Sequence, residues 1–242
     1  MEMESLYLAD LHTHTRASGH AAHTVEEMIE MAKVRGIQLY GITDHAKTMP
    51  GTADEEYFRN LRNISRDYGE IEVLFGVELN ILDFEGNVDM PQDLLQEMDV
   101  TIASIHNHIG YEAGTIEQNT NTYLKVMQNP YINIIGHPDD GNVPVDYERL
   151  VIAARDSGTL LELNNNSIDS GFRKNARDND KEMLRYCKKY QVPIIIGSDA
   201  HSMNVIGRNQ SALELIEEVG YDENLVMNYH IEELKKYLNR YR

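Results

Sequence analysis

The chain has 242 residues, 41% of them hydrophobic and 26% charged, which is enough to bury a sizeable core and unlike the composition of a disordered chain. A formal net charge of −18 argues against a broad basic surface for holding a nucleic-acid backbone. Cys187 is the one cysteine, so an intrachain disulfide is excluded, and no run approaches the roughly 18 apolar residues of a membrane helix.

The opening MEMESLYLADLH has neither a basic start nor a long apolar run, so no signal peptide is predicted and a cytoplasmic setting is expected. Short apolar runs then alternate with amphipathic stretches. The first run covers 6–11 and precedes a helix over about 24–35, with Thr24 as cap and Gly36 as stop. A run at 39–43 leads to a helix near 55–68. A third run, 71–77, continues into 79–82. The fourth, 100–105, is followed by a helix over 116–128. The fifth, 132–135, precedes a helix from about Asp146 to Asp156 that stops at Gly158. The sixth, 160–163, precedes a helix over 180–190, and the seventh, 192–196, precedes one over 205–219. A last amphipathic helix is predicted over 231–241. Apolar runs this short read as buried strands, and their alternation with helices implies a parallel sheet. Seven such units without a Pro-, Gly- or Ser-rich linker favour one barrel domain spanning 1–242, with an open doubly wound sheet as the alternative.

The residues at the strand ends carry the chemistry. Asp10-Leu11-His12-Thr13-His14 closes the first run and leads on to His20; Asp44-His45 closes the second and Glu78 follows the third. His106-Asn107-His108 follows the fourth, Gly136-His137 the fifth and Asp199-Ala200-His201 the seventh. Eight of the ten histidines belong to this set when His108 is included, leaving His23 and His230 as ordinary surface or core residues. In a parallel barrel all these ends lie on one face, where active sites form. In a strand, residues i and i+2 point to the same side, so His12 with His14, and Asp199 with His201, can grip neighbouring ions. Any one strand-end histidine is ordinarily a hydrogen-bonded structural residue. Six strand ends agreeing is what favours a metal site. Imidazole with carboxylate suits zinc, manganese or iron, and one cysteine is too few for a thiolate site.

With these motifs in view, the chain resembles the PHP (polymerase and histidinol phosphatase) superfamily, particularly its small phosphatases of the YcdX type. DLHTHT at 10–15, ITDHA at 42–46, IGHPD at 135–139 and GSDAH at 197–201 carry the match, with Glu78 in GVELN and His106 in SIHNH. The resemblance implies an α/β fold, a distorted seven-stranded TIM-like barrel, with up to three divalent metals. Its implied ligands are His12, His14, His20, His45, Glu78, His106, His137, Asp199 and His201, with zinc the first expectation and manganese or iron also accommodated.

Such a cluster is locally positive, so an anionic substrate is expected despite the acidic chain. The working hypothesis is a phosphatase of small phosphomonoesters that uses a metal-activated hydroxide. Asp199, His201 and His108 are the candidate catalytic residues, and His108, Lys47 and Arg173 are candidate substrate contacts. For each of those three contacts, a solvated loop residue is the competing reading. Three alternatives stand beside it: a phosphodiesterase or nuclease, an amidohydrolase-type C–N hydrolase, and a metal-storage or sensor module. No membrane partner is expected, and assembly into a homo-oligomer is left open.

Overall fold

The computed structural model describes residues 7–242; Leu6, the start of the first predicted run, lies outside the described residues, as do the five residues before it. The elements follow in the order β1 (Ala9–Asp10), α1 (Val25–Val34), β2 (Leu39–Ile42), α2 (Glu55–Asn60), β3 (Glu72–Phe75), β4 (Val77–Asn80), α3 (Gln92–Leu95), β5 (Thr101–Ser104) and α4 (Ile116–Val126). Then come β6 (Ile134–Ile135), α5 (Tyr147–Ser157), β7 (Leu160–Asn164), α6 (Asn165–Ser170), α7 (Ala176–Tyr190), β8 (Ile194–Gly197), α8 (Gln210–Val219) and α9 (Ile231–Lys235).

The fold is α/β with parallel sheets. One sheet runs β1-β2-β3 and the other β4-β5-β6-β7-β8, every pairing parallel. The two sheets meet on both sides. β3 and β4 are halves of one pass: Gly76 N–H donates to Ile42 O at 2.9 Å and Glu78 N–H to Asp44 O at 3.0 Å, so β2 runs on beside β4. On the other side Thr13 bridges Ala200, and His14 N–H donates to Ala200 O at 2.9 Å. Seven strand passes therefore form a ring, distorted because single bridges replace full ladders at two joints.

The ring interior is layered. Strand side chains alternate, so one parity faces the inside of the ring and the other the surrounding helices. Ala9, Leu39, Leu74, Ile102, Ile134, Leu160 and Ile195 form one buried cluster, closed by Leu234 of α9 and by Leu238. Their strand neighbours Tyr40, Val73, Ala103, Ile135, Leu161 and Ile194 belong to a second cluster with the helices. Two residues further along, the inner parity is small: Gly41, Gly76, Ser104, Gly136 and Gly197. A Cβ on Gly41 would stand 2.7 Å from Leu11 O, and one on Gly197 would overlap the Glu162 carboxylate, so the small residues of this tier leave its space to Glu162 and to the neighbouring backbone. Two residues further again, the same parity reaches Thr43, Glu78, His106 and Asp199, with His45 two residues beyond Thr43.

Several helices differ from expectation. The helix expected over 55–68 ends at Asn60 and passes through a 3-10 turn at Leu61–Asn63; the Ser65, Asp67 and Gly69 that follow favour turns. The helix expected from 205 begins at Gln210, because Gly207 takes φ +68 and breaks the chain's helical course. The terminal helix stops at Lys235, followed by a 3-10 turn at Asn239–Tyr241. α7 starts at Ala176, ahead of the predicted 180. α6 was not anticipated: Asn-Asn-Asn-Ser reads as loop, yet the Asn164 side chain caps it by accepting from Ser167 N–H at 2.9 Å. Among the described residues, no helix is long and apolar enough to cross a membrane.

Candidate metal centre

At the carboxyl ends of the strands the predicted ligands converge. Glu78 lies fully buried at the middle. Its Oε2 is 3.4 Å from His12 Nε2, 3.5 Å from His14 Nε2 and 2.7 Å from His45 Nδ1. Its Oε1 accepts from Ser104 Oγ at 2.7 Å and lies 2.8 Å from His137 Nε2 and 3.4 Å from His106 Nε2. Asp199 Oδ1 stands 3.4 Å from His14 Nε2 and 3.7 Å from His12 Nε2. His201 Nε2 meets His20 Nε2 at 2.9 Å on the outer rim. The imidazoles of His45 and His201 flank that of His14, with centroids 4.3 and 4.2 Å away.

Backbone strain helps to aim these groups. His137 and Asp199 both take positive φ, 28° and 51°, a region that non-glycine residues seldom occupy. Such strain collects where surrounding structure holds a functional side chain in place.

Outer partners fix which imidazole nitrogen faces inward. His12 Nδ1–H donates to Glu162 Oε1 at 2.7 Å, and His106 Nδ1–H donates to Asn80 Oδ1 at 2.9 Å. Ser18 Oγ gives its proton to Asp44 Oδ1 at 2.6 Å, so its lone pair takes the His14 Nδ1–H at 3.0 Å. His201 Nδ1–H donates to the Asp199 carbonyl at 3.0 Å. Each of these rings is left with Nε2 as the nitrogen that faces the centre.

The inner atoms are unsatisfied. His12 Nε2, His14 Nε2, His45 Nδ1 and Glu78 Oε2 are buried without a hydrogen-bond partner; the 2.7 Å approach of His45 to Glu78 is an ion-pair distance lacking hydrogen-bond geometry. Buried polar atoms are almost always paired, so four converging orphans are anomalous for a chain standing alone. A divalent cation would satisfy all of them, since each offers a lone pair. Three groupings have ligand atoms within 4.8 Å of one another: His12, His14 and Asp199; His45, Glu78 and His106; and His14, His45 and His201. The residues present therefore fit divalent metal ions.

Protonation points the same way. Burial, reinforced by His45 and His201, lowers the His14 pKa well below the usual imidazole value, and burial takes His106 down to about 4. Burial would raise Glu78 and Asp199, but the imidazoles around them prevail and hold both carboxylates well below their ordinary range. His12 is the exception. Burial lowers it, yet Glu162, Glu78 and Asp199 together raise it well above the usual value, so metal binding there would release a proton.

A match to the PHP domain model covers residues 10–166. A protein named "Probable phosphatase" from Acetivibrio thermocellus is 41% identical, with 97% of this chain and 96% of that protein aligned. Another "Probable phosphatase", from Thermoanaerobacter sp., is 40% identical over 95% of this chain and 93% of its own length. The chain belongs to the PHP domain family. As those relatives indicate, this PHP chain is a phosphoesterase. A crystal structure described as histidinol phosphate phosphatase from Lactococcus lactis, complexed with zinc, L-histidinol and phosphate, aligns with a TM-score of 0.63 at 20% identity. That alignment covers 89% of this chain and 95% of the other, and supports the α/β fold.

The remaining candidates of this PHP chain are distributed unevenly. Arg173 lies beside the centre: its Nη2 is 3.5 Å from Asp199 Oδ2 and its Nη1 donates to Ser167 Oγ at 2.6 Å. It shares a cavity of about 320 Å³ with His106, Asn107, His108, Asp140 and Phe172. His108, at φ +69, is an exposed wall residue whose Nδ1 lies 3.2 Å from Glu112 Oε2, and it makes no contact with the cluster. Lys47 is half-exposed and ion-paired with Glu55 at 2.6 Å, away from that cavity. Of the two unassigned histidines, His23 accepts from Met203 N–H, and His230 stands at the N-cap position of α9, where its backbone carbonyl accepts from Leu234 N–H.

Glu162, which no strand-end pattern marks, joins the cluster from within β7. It grips His12 and also accepts from His137 N–H at 2.8 Å. Two positions after inward-facing Leu160, its parity was the available signal.

Proposed function

We propose that this chain, folded as one domain over 1–242, is a phosphatase that hydrolyses small phosphomonoesters at a centre of three divalent ions. His12, His14, His20, His45, Glu78, His106, His137, Asp199 and His201 would hold them, with zinc preferred and manganese or iron accommodated. The observation that carries this reading is the set of buried, partnerless lone pairs converging around Glu78 and Asp199. When bound, such ions supply a nucleophile from water at neutral pH and stabilise charge on the phosphoryl oxygens.

The chain's own groups do the rest. Glu78 and Asp199 stay ionised and balance the cations, while the ring nitrogens that face the centre, His12 Nε2 among them once its proton has left, would offer their lone pairs to the ions. Glu162, Asn80 and Ser18 fix the rings that face the reacting centre. Arg173, between Asp199 and the cavity, is assigned one phosphate oxygen; its planar fork suits that oxyanion better than a lysine would. Lys47 is a second phosphate contact only if it leaves Glu55. His201, at the outer rim, orients and completes the centre as a ligand, and His108, on the cavity wall, is assigned proton transfer to the leaving oxygen, with Glu112 accepting from His108 Nδ1–H. A cavity of about 320 Å³ stands at the lower end of small-ligand pockets and suits a metabolite-sized monoester. The zinc, phosphate and small alcohol of the Lactococcus lactis structure support the same reading. A buried lone thiol, Cys187, accords with a reducing, cytoplasmic setting.

The test compares initial hydrolysis of a simple aryl phosphomonoester with that of the matching diester, using metal-replete and chelator-stripped protein. Metal-dependent monoesterase activity is expected. Diesterase activity alone would transfer the chain to the nuclease-type reading, and no turnover on either ester with metal loaded would defeat the phosphatase reading. In the same assay Asp199→Asn should lose metal and turnover together, on the order of 100-fold in rate; full activity would remove Asp199 from the centre.

A further inference from the structure

Phe172 is 85% exposed, more than any other large hydrophobic residue described. A lone exposed phenylalanine is ordinary by itself. Its position sets this one apart, because it lines the same cavity as His106 of the metal cluster and as its chain neighbour Arg173.

The two neighbours do different things. Arg173 is drawn inward to Ser167 and Asp199, at the end of the cavity where phosphate would bind. Phe172 stands at the open end. α6 stops at Gly171, which takes φ +63, and Phe172 N–H then donates to Ser170 Oγ at 3.2 Å. With Arg173 anchored on the next residue, the backbone of Phe172 is fixed at the rim and its ring projects there into solvent. Polar groups of Asn107, Asp140 and Asn142 share the cavity wall.

We infer that Phe172 is a specificity-determining residue which selects phosphomonoesters whose leaving alcohol carries a flat, unsaturated ring. The inference rests on the phosphatase reading above. With the phosphoryl group between Arg173 and the metal ligands, the leaving group has to extend along the cavity towards the rim. A flat ring there stacks offset or edge-on against Phe172 and covers apolar surface that otherwise faces water. An aliphatic or polyol leaving group gains little from the same contact. Hydrolysis remains P–O cleavage by water, which delivers the ring-bearing alcohol and inorganic phosphate.

The experiment compares kcat/KM of the metal-loaded enzyme for benzyl, cyclohexylmethyl and ethyl phosphate, in wild type, Phe172→Ala and Phe172→Tyr. Benzyl and cyclohexylmethyl are similar in size, so the pair separates flatness from bulk. Wild type should favour benzyl over both others. In Phe172→Ala the benzyl-to-ethyl ratio should fall about tenfold, the effect of removing one aromatic stacking partner, whereas Phe172→Tyr should keep it. A ratio unchanged by Phe172→Ala, or equal preference for benzyl and cyclohexylmethyl, would overturn the inference. Calorimetric binding of benzylphosphonate against methylphosphonate supplies a readout without turnover. If no monoester is hydrolysed, the phosphatase reading fails, and this binding ratio still decides the role of Phe172: a preference abolished in Phe172→Ala supports it, and an unchanged preference refutes it.

Discussion

The two ends of the barrel both gather charged side chains, and they do so in opposite ways. At the amino ends of the strands, Arg66 donates to Asp99 at 2.8 Å, Arg240 lies 3.3 Å from Asp99, and Lys235 lies 3.1 Å from Glu72. Each of these carboxylates has a permanent cation of the chain beside it. At the carboxyl ends, Glu78 is ringed by imidazoles, and four inward-facing buried atoms, His12 Nε2, His14 Nε2, His45 Nδ1 and Glu78 Oε2, have no hydrogen-bond partner. The cavity at the paired end is the larger, about 770 Å³ against about 320 Å³. Size therefore points to the wrong end. What distinguishes a metal centre from a structural ion-pair network is lone pairs left without donors.

The largest effect that could break this contrast belongs to Glu78. Glu78→Gln should strip metal from the centre and lower phosphomonoester turnover on the order of 1000-fold, read by metal content and initial rate. Near-normal metal content would mean that the orphan atoms serve another purpose.

Arg66→Met should show the converse. Removing one partner of a mostly buried pair leaves the Asp99 carboxylate short of its nearest cation, which costs about 3 kcal/mol, or roughly 6–12 °C in Tm for a chain of this size. Turnover per bound metal should be preserved. A loss of activity at unchanged stability would tie the paired end to catalysis.

Glu162→Gln sharpens the account of the outer partners. Weaker orientation of His12 should lower metal affinity about 10–100-fold, which a competition titration with a chelator would register. Affinity within about twofold of wild type would demote Glu162 to packing.

The smallest effect concerns two neighbouring carboxyls buried beside the centre. Asp139 and Asp180 are fully buried and their oxygens take no hydrogen-bond donor, yet burial raises both pKa values, for Asp180 well above the usual range. A proton, not a metal, meets the need there. Because the folded value is raised, the stability this pair contributes is complete below the ordinary aspartate range and is lost as pH rises through the raised value. Asp180→Asn should therefore gain about 1 kcal/mol at pH 8, some 2–4 °C in Tm, and much less at pH 5. A uniform shift at both values would contradict it.

The strand order and the strand-end histidines and carboxylates were legible because both follow simple rules. Apolar runs announced the strands, and a histidine or carboxylate stood just beyond six of them. Glu162 escaped because it sits inside Leu-Leu-Glu-Leu-Asn, where the run looks like uninterrupted core. Only parity, Leu160 and Glu162 both facing inward, reveals it. α6 escaped because three asparagines favour loops locally, while packing against α8 and the Asn164 cap favours a helix. Arg173 and His108 could be nominated but not told apart from solvated loop residues. Their setting depends on where the loops after β7 and β5 come together, which no local pattern encodes.

The most direct measurement of the central claim is metal content per chain, followed together with phosphomonoester turnover as a chelator is added and then outcompeted by zinc. Up to three divalent ions per chain are expected, with activity that falls as they leave and recovers as they return. A fully stripped chain that hydrolyses the ester at an undiminished rate would contradict it.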